Sequence, residues 1–414
     1  MQSCLFVGID THKSSHTAAV LNSFFDTEDS LTFDNSYQGF CVFLEKLKTM
    51  AEGKSFCFGL EDSQGLGNYL AEFLIEKGYL VLDVNPVYTD RGRKHTIHRD
   101  KSDDRDACLI AKTLIREKNN LHPVTINRNS LALRELVRHR QILVEESTKL
   151  KNRLHGLLFN QYGQTLSIFS SLFSKVALAF FTRYPSPSML EGICPDSLAC
   201  FLKANSKGRY GIQKAIAILS RPNISIADNL TDARAYIIRK HIERLVQITE
   251  ELAQIKEMLS SLVEISSYSC LLSIPGLDTV TAAKIISSVV DIGRFSSSAK
   301  LAKFAGIAPR EKSSGKKQIF QKSKHGKKYL RSTIYFMALA HISKTRDGRD
   351  KNPISRAYYL KKIAEGKTKK EAITCLCRRL IDLIFAVMRD RSIYNFSKSE
   401  FTKQHNVILN TIVA

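Results

Sequence analysis

Two aspartates near residue 100 have the spacing of a metal-ligating pair. Asp103 and Asp106 lie three residues apart, and the apolar stripe over residues 107–115 predicts a helix that begins with them. Residues three apart share a helix face, so the two carboxylates repel each other unless a cation lies between them. An acidic first turn that complements the helix dipole, with Ser102 or Asp103 as N-cap, is the alternative, and this segment alone favours it.

Two further acids extend this pair into a set of four, called the acidic tetrad below. Asp10 ends the apolar run CLFVGID and Glu61 follows the run SFCFGL, and both runs are predicted strands. Neighbouring strand ends bring side chains to the edge where open α/β sheets hold ligands. Four carboxylates at one edge require divalent cations, and oxygen ligands favour Mg²⁺ or Mn²⁺, the ions of two-metal phosphodiester chemistry. A turn role explains any one of these acids, but it is disfavoured for all four together.

The elements that must position the tetrad follow from hydrophobic patterns. Strands are predicted at residues 4–10, 16–21, 31–34, 55–60 and 79–84. With the helical stripes between them, the order is β-β-β-α-β-α-β-α. The tight first half predicts antiparallel strands, and the second half predicts parallel strands with helical crossovers. This order and the placement of the acids resemble the ribonuclease H-like α/β fold in its Holliday-junction-resolvase (RuvC) version.

The composition is typical of a protein that meets a polyanion. The 414 residues include 62 Lys and Arg against 40 Asp and Glu, a net charge of +22, so nucleic acid is the first expected partner. The nine cysteines show no CxxC spacing and lie mostly in apolar runs, so we expect buried free thiols in a reducing cytosol. The sequence shows neither a signal-peptide pattern nor a run as long as a membrane span, so we expect a cytoplasmic protein.

Two long helices are predicted in the middle of the chain. Leucines seven residues apart, beginning at Leu136, mark residues 131–158, and a second heptad stripe marks residues 231–265. The pattern leaves open whether these helices pair within one chain or between two chains. Between them, prolines divide residues 160–230 into short pieces, which suggests an insertion of small helices.

The C-terminal part carries two signals for nucleic-acid binding, in a region of mostly helical pattern. Residues 271–283 resemble a helix-hairpin-helix whose backbone amides can bind phosphate, although a plain αα turn fits as well. Residues 310–331 contain nine Lys or Arg and one acid. A solvated loop is the default for such a run, but the interleaved glycines and hydroxyls favour phosphate contacts. The predicted nucleic-acid-binding residues are Arg310, Lys312, Lys316, Lys317, Lys324, Lys327, Lys328 and Arg331.

Taken together, the motifs resemble a known family. The motif GIDTHK at residues 8–13, Glu61 and the motif KSDDRDA at residues 101–107 are similar to the acidic residues of the DEDD transposases of bacterial insertion sequences. These transposases include the insertion-sequence family one-ten and Piv-like recombinases. The motifs IPG at 274–276, FAGIAPR at 304–310 and SG at 314–315 resemble its C-terminal transposase domain. Residues of about 160–230 do not align, and DSQG follows Glu61 where the family often has a small residue, Thr and Gly.

The resemblance implies a mechanism as well as a metal site. It implies that the tetrad binds Mg²⁺ or Mn²⁺ and acts with a C-terminal serine that stands just before a glycine. That serine is Ser314 here, with Ser313 as its neighbour. In the family it attacks a DNA phosphodiester and forms a covalent phosphoserine. The implied partners are donor and target DNA, a structured RNA from the element that pairs with both, and further copies of the chain in a dimer or tetramer.

The predicted organisation has four parts. A RuvC-like catalytic domain occupies residues 1–125, and long helices or a coiled coil occupy 126–265. A mostly α C-terminal transposase domain with the serine occupies 266–395, and a tail follows at 396–414. The predicted function is that of an insertion-sequence DNA transposase or site-specific recombinase guided by an RNA. The alternatives are a resolvase-like metal nuclease without a covalent intermediate, a site-specific DNA invertase, and a basic nucleic-acid-binding protein with vestigial acids.

Overall fold

The computed structural model of the chain describes residues 4–51, 53–63, 65–94, 102–220, 229–308, 310–314, 317–321 and 326–394. Contacts between Cα atoms divide the chain into two compact units, Met1–Leu131 and Ala132–Ala414. The first unit contains a mixed sheet, and the second is mostly helical. The predicted tail lies outside the described residues.

The first unit is built around a six-stranded sheet. Its strands are β1 Cys4–Thr11, β2 Ser15–Leu21, β3 Thr27–Asp34, β4 Ser55–Leu60, β5 Leu80–Asp83 and β6 His122–Pro123. The strand order is β3-β2-β1-β4-β5-β6. β1 pairs antiparallel with β2 and parallel with β4, and β5 is parallel to β4, which confirms the strand directions expected from the spacing. Two elements were not expected, the short antiparallel strand β6 and a polar helix after β5.

Four helices cover the two faces of this sheet. They are α1 Tyr37–Ala51, α2 Asn68–Glu76, α3 Pro86–Lys94 and α4 Asp103–Glu117. Alternation along β1 assigns the faces, because Val7 packs in one core with α1 and α2, whereas Phe6 packs with Ile110 and Leu114 of α4. Cys57 of β4 pairs with Phe6 and lies in the same core, so the even-numbered residues of β1 and the odd-numbered residues of β4 face α4.

α4 lies unusually close to β1 because the contact is made by small residues. A Cβ atom on Gly8 would lie 2.2 Å from the Ala111 backbone nitrogen and 2.3 Å from the Ala107 carbonyl oxygen. Ala107 and Ala111 are fully buried there, against Ala19 and Leu21 of β2. The absence of a side chain on Gly8 thus allows the helix that begins with Asp103 to contact the strand that carries Asp10.

The second unit begins with two long helices and three short ones. They are α5 Arg128–Tyr162, which starts in the first unit, α6 Lys175–Arg183, α7 Pro195–Asn205, α8 Ile212–Leu219 and α9 Asn229–Glu264. Both long helices were expected, and within this chain they pack against each other. Arg244 of α9 donates from Nε and Nη2 to the Glu146 carboxylate of α5, at 2.8 and 3.1 Å. Residues 160–230 contain short helices, as expected, and Leu154 and Ile242 pack in one core with them.

In its described residues, the rest of the second unit holds five α-helices and a hairpin. They are α10 Thr279–Val289, α11 Ser298–Phe304, β7 Arg310–Ser314, β8 Lys317–Gln321, α12 Lys328–Ile342, α13 Pro353–Ala364 and α14 Lys369–Asp390. The basic run is therefore not a plain loop, because its first half forms an antiparallel hairpin. A 3₁₀ turn, Ser269–Ser273, and a turn at Gly276 with φ of +81° precede α10.

The cysteines differ in part from expectation. All nine are free thiols, as predicted, but only Cys57 and Cys377 are buried, and Cys194 and Cys200 are exposed. The prediction of buried thiols was wrong for these two because Cys194 is the N-cap residue that precedes α7, and Cys200 lies on a face of α7 turned away from the core. Among the described residues, no helix combines the length and the apolar character needed to cross a bilayer.

Candidate functional site

The carboxyl ends of β1 and β4 bring two of the predicted acids to one edge of the sheet. Ile9 pairs with Leu60 in parallel register, so Asp10 and Glu61 stand at corresponding positions on neighbouring strands. Both have the parity of the residues that face α4, since a Cβ on Gly59 would lie 2.6 Å from the Leu114 side chain. The carboxyl ends of β1 and β4 and the helix α4 thus surround the same point on this edge of the sheet.

Asp10, His12 and Asp103 converge at this place. His12 Nε2 lies 3.2 Å from Asp10 Oδ2 and 3.3 Å from Asp103 Oδ1. One ligand atom from each of the three residues lies within 4.8 Å of the others, so this group can hold a metal ion. His12 was not among the predicted site residues. The available signal was its position two residues beyond Asp10, directly after the same strand.

Asp106 adds a third carboxylate to the electrostatics of this group. It lies one turn after Asp103 on α4 and is only 6% exposed. The pKa of Asp10 is raised above its ordinary value, first by burial and then by the charges of Asp106 and Asp103, while His12 lowers it. A cation bound here would offset this repulsion, so the donor chemistry and the electrostatics both fit a divalent metal.

Glu61 is held by a helix that the hydrophobic pattern did not reveal. The Thr89 hydroxyl of α3 donates to Glu61 Oε1, and Thr89 is only 1% exposed. Its Oγ1 also lies 3.0 Å from the Pro86 carbonyl oxygen, which fixes the threonine on its own helix. Glu61 shares the sheet edge with Asp10, but it is not part of the group of three ligand atoms.

The neighbours of Glu61 organise the turn that follows β4. The Asp62 carboxylate accepts a hydrogen bond from the Leu66 backbone N–H at 3.0 Å. The hydroxyl of Ser63, which is 2% exposed, donates to Asp83 Oδ1 at 2.6 Å. The segment that departs from the family's pattern therefore has a structural role at the ends of β4 and β5.

The first turn of α4 separates structural from available carboxylates. Ser102 is the N-cap, since its hydroxyl accepts a hydrogen bond from the Arg105 backbone N–H at 3.3 Å. Asp104 accepts a hydrogen bond from the Ser30 hydroxyl of β3 at 2.7 Å. Because Asp104 is engaged on β3, Asp103 and Asp106 are the aspartates of this turn that stand beside Asp10.

A second histidine supports the segment that carries His12. The backbone N–H of His12 donates to His16 Nδ1 at 3.3 Å. His16 is fully buried, with its ring against Phe33 and Phe40, and burial lowers its pKa. The neutral ring is the form that can accept at Nδ1, so a neutral His16 positions the turn after β1.

The structure places the predicted serine and six of the eight predicted basic residues in the second unit. Ser314 ends β7 and pairs with Lys317 across the hairpin, and Ser313 pairs with Gln318. Arg310 and Lys312 lie on the same strand as Ser314. Lys316 and Lys324 lie outside the described residues.

The other three predicted basic residues lie at the start of α12. Lys327 is the N-cap residue, and its Nζ lies 5.2 Å from the centre of the Phe304 ring. Lys328 and Arg331 follow on α12 and line a cavity. The structure therefore brings three members of the tetrad together with His12, places Glu61 on the same sheet edge, and carries Ser314 on a separate unit.

Comparison with known proteins matches both ends of the chain to transposase models. A model described as "Transposase", of the DEDD type of IS110, matches residues 7–162, and one described as "Transposase IS116/IS110/IS902 family" matches residues 268–360. Residues 163–267, which include the short helices, lie between the two matches.

Similar proteins align with nearly the whole chain. An uncharacterized 42 kDa protein of insertion element IS900 from Mycobacterium paratuberculosis is 24% identical over 400 residues, 95% of this chain and 98% of its own. The transposase for insertion sequence element IS1111A of Coxiella burnetii is 24% identical over 84% of this chain and 82% of its own. The pilin gene-inverting protein of Moraxella bovis is 23% identical over 93% and 95%. With both transposase models matched in order, the chain belongs to the IS116/IS110/IS902 family of transposases, which are enzymes of DNA recombination.

Proposed function

We propose that this transposase cuts and rejoins DNA with Ser314 as nucleophile and with a divalent metal, Mg²⁺ or Mn²⁺, held by the acidic tetrad. The observation that carries the proposal is the convergence of Asp10 and Asp103 on His12, with buried Asp106 beside them. The strand order β3-β2-β1-β4-β5 and the acids at the strand ends support a ribonuclease H-like, RuvC-like assignment of the first unit.

The residues of the tetrad have distinct tasks in this proposal. Asp10, Asp103 and Asp106 supply oxygen ligands, His12 supplies a nitrogen at the same place, and Thr89 holds the Glu61 carboxylate toward the edge. A bound divalent cation would polarise a phosphodiester oxygen and offset the charge that develops on the phosphate. Since burial and the neighbouring carboxylates of Asp106 and Asp103 raise the pKa of Asp10, a bound cation would also keep this residue ionised as a ligand.

Ser314 supplies the covalent step. Its hydroxyl oxygen forms a bond to the phosphorus of the DNA backbone as the bond to one strand oxygen breaks, and the hydroxyl proton ends on that leaving oxygen. Attack by a strand hydroxyl on the phosphoserine reverses these changes, so a new DNA bond forms and the serine is released. The cations near Ser314 in sequence, Arg310, Lys312 and Lys316, are proposed to hold the phosphate.

The domain scheme and the partners complete the proposal. We assign residues 1–125 to the catalytic domain, 126–265 to the helical middle and 266–395 to the serine-bearing domain. A structured RNA from the element that pairs with donor and target DNA is the proposed guide, and the net charge of +22 supports a polyanionic partner. The proposed active form is a dimer or tetramer in the cytoplasm, where free thiols are stable.

The serine step is tested by trapping DNA on the protein. End-labelled element-end DNA is incubated with the wild type and with Ser314→Ala and Ser313→Ala, with and without the element's flanking transcript, and resolved on a denaturing gel. We expect an adduct that maps to a phosphopeptide containing Ser314 and disappears in Ser314→Ala alone. An adduct that depends on Ser313 would move the assignment by one residue. Efficient cleavage by both variants without any adduct would leave a resolvase-like metal nuclease.

The metal step has a matched control within one turn of α4. We expect Asp10→Asn, Glu61→Gln, Asp103→Asn and Asp106→Asn each to abolish cleavage in Mg²⁺ while the protein stays folded. Asp104→Asn changes the same charge in the same turn, but Asp104 is bonded to Ser30, so this variant should keep cleavage. Equal activity of Asp103→Asn and wild type would refute the metal site.

Site-specific inversion is a second candidate, because two pilin gene-inverting proteins are among the relatives. A plasmid with two element ends in inverted orientation distinguishes the outcomes. Transposition yields joined element ends or insertion elsewhere, whereas an invertase reverses the intervening segment and leaves the plasmid size unchanged.

A further inference from the structure

A groove of about 1040 Å³ opens between α12, α13 and α14 of the second unit. Ile307, Phe336 and Cys377 provide its apolar surface, and the helix α14 begins at its wall with Lys369. This volume equals the upper end of what small-molecule sites enclose, so the groove has room for more than one nucleotide. None of its lining residues belongs to the acidic tetrad or to the hairpin with Ser314.

Positive charge dominates the lining of the groove. Among the described residues that line it, the cations are Lys328, Arg331, Lys367, Lys370 and Arg378. The acid is Glu371, and its carboxylate is already bound by the N–H and the hydroxyl of Thr368, at 2.9 and 2.7 Å, as a capping box. Arg378 is ion-paired with Asp382. Since the helix start is capped by this carboxylate, an anion in the groove would be bound by side chains.

Aromatic rings interleave with these cations. Phe336 lines the groove and is 68% exposed overall, and the Tyr335 ring lies edge-on to it, with centroids 6.4 Å apart. The Tyr358 ring also lines the groove, and the guanidinium of Arg379, which is not a lining residue, lies 4.9 Å from its centre. An exposed aromatic face flanked by cations matches a base that stacks while its backbone phosphates contact Lys and Arg.

We propose that this groove binds an unpaired DNA strand, with a base stacked on Phe336. A duplex would offer phosphates but keep its base faces stacked on one another, which leaves the Phe336 ring without a partner. An acidic protein partner would match the charge but gives no reason for an exposed aromatic ring among the lining cations. The proposal rests on the proposed function, since strand cleavage at element ends releases unpaired DNA.

Binding of labelled oligo(dT) to the full chain tests the assignment. Phe336→Ala should weaken binding roughly 10- to 100-fold, the loss expected from one stacked base. Phe336→Tyr should restore it, because a tyrosine ring also stacks. Phe159→Ala is the matched control, since Phe159 is 53% exposed and does not line the groove. Because both phenylalanines are exposed, the melting temperature should change little in any of these variants.

The cations are tested by salt dependence. Replacing Lys367 and Lys370 by Gln should reduce the slope of log affinity against log salt by about 0.7 for each lost phosphate contact. The double variant Lys149→Gln, Lys256→Gln removes the same charge outside the groove. It should change the slope less than the groove variant does.

Several outcomes would overturn the proposal. Unchanged oligo(dT) binding by Phe336→Ala would do so, as would a Phe336-dependent preference for oligo(rU) or for duplex DNA. Cleavage of element-end DNA is measured on the same preparations. If the groove variants bind oligo(dT) normally and the wild type cleaves element-end DNA, the assignment of the groove is wrong and the proposed function stands. If oligo(dT) binding depends on Phe336 but the wild type cleaves no DNA, the proposed function is wrong and the assignment of the groove stands.

Discussion

Replacing Gly8 by alanine tests whether close packing of α4 on β1 sets the geometry of the cluster formed by Asp10, His12 and Asp103. The new Cβ would lie 2.2 Å from the Ala111 backbone nitrogen, which is short of ordinary contact by about 1.2 Å. The obstructing atoms are backbone, so no rotamer change relieves the clash, and helix and strand must separate by roughly this distance. Overpacking of this kind costs about 1–3 kcal/mol of the free energy of unfolding.

The same separation would move the ligands of the site. Asp10 lies two residues beyond Gly8, and Asp103 begins the displaced helix, so a shift of about 1 Å opens the ligand group and can cost on the order of 100-fold in activity. Urea unfolding gives the stability of the variant, and cleavage of element-end DNA, assayed where the variant is fully folded, gives the activity.

A glycine in an open position provides the control. Gly156 lies within α5, and a Cβ there would meet nothing within 4 Å. Gly156→Ala should therefore stabilise the protein by about 0.5–1 kcal/mol, because alanine is the better helix former. If Gly8→Ala matched wild type in stability and cleavage, the close approach of α4 would not position the cluster.

Three further outcomes are expected. Burial lowers the pKa values of His16 and His341 below their usual range, so the unfolded chain binds protons at a higher pH than the folded chain does. The urea midpoint of unfolding should therefore decrease from pH 7.5 to pH 5.5. A constant midpoint would contradict neutral histidines in the folded protein. Replacing Lys316, Lys317, Lys327 and Lys328 by Gln should flatten the salt dependence of duplex DNA binding by up to about 0.9 per lost phosphate contact, and an unchanged slope would place them away from the interface. His12→Ala should weaken Mn²⁺ binding, measured by calorimetry, without altering the fold, and equal affinity would remove His12 from the site.

The hydrophobic patterns of the sequence determined the order and direction of the main elements. Asp10 and Glu61 were identified as strand-end acids because apolar runs and turns are local signals, and the parallel register of Ile9 with Leu60 agrees with that placement. The N-cap, which the sequence limited to Ser102 or Asp103 and the structure places at Ser102, and the two long helices were likewise local features, set by capping chemistry and by a repeat of three and four residues.

Two features escaped prediction because their local patterns are weak. α3 has a polar sequence without an apolar stripe, so nothing in the chain around Thr89 indicated a helix that would hold Glu61. The hairpin with Ser314 has little alternation of polar and apolar residues, and its strands pair through the backbone, so the segment resembled a basic loop.

The ligand group itself was decided only by tertiary structure. The approach of α4 to β1 depends on Gly8 meeting Ala107 and Ala111, residues separated by about a hundred positions in the chain, and spacing along the sequence carries no record of that contact. The same packing places His12 Nε2 between Asp10 and Asp103. Residue types and local periodicity therefore determined which acids were available, whereas the fit of one helix on one strand decided which side chains meet, because interatomic distances depend on packing between distant segments.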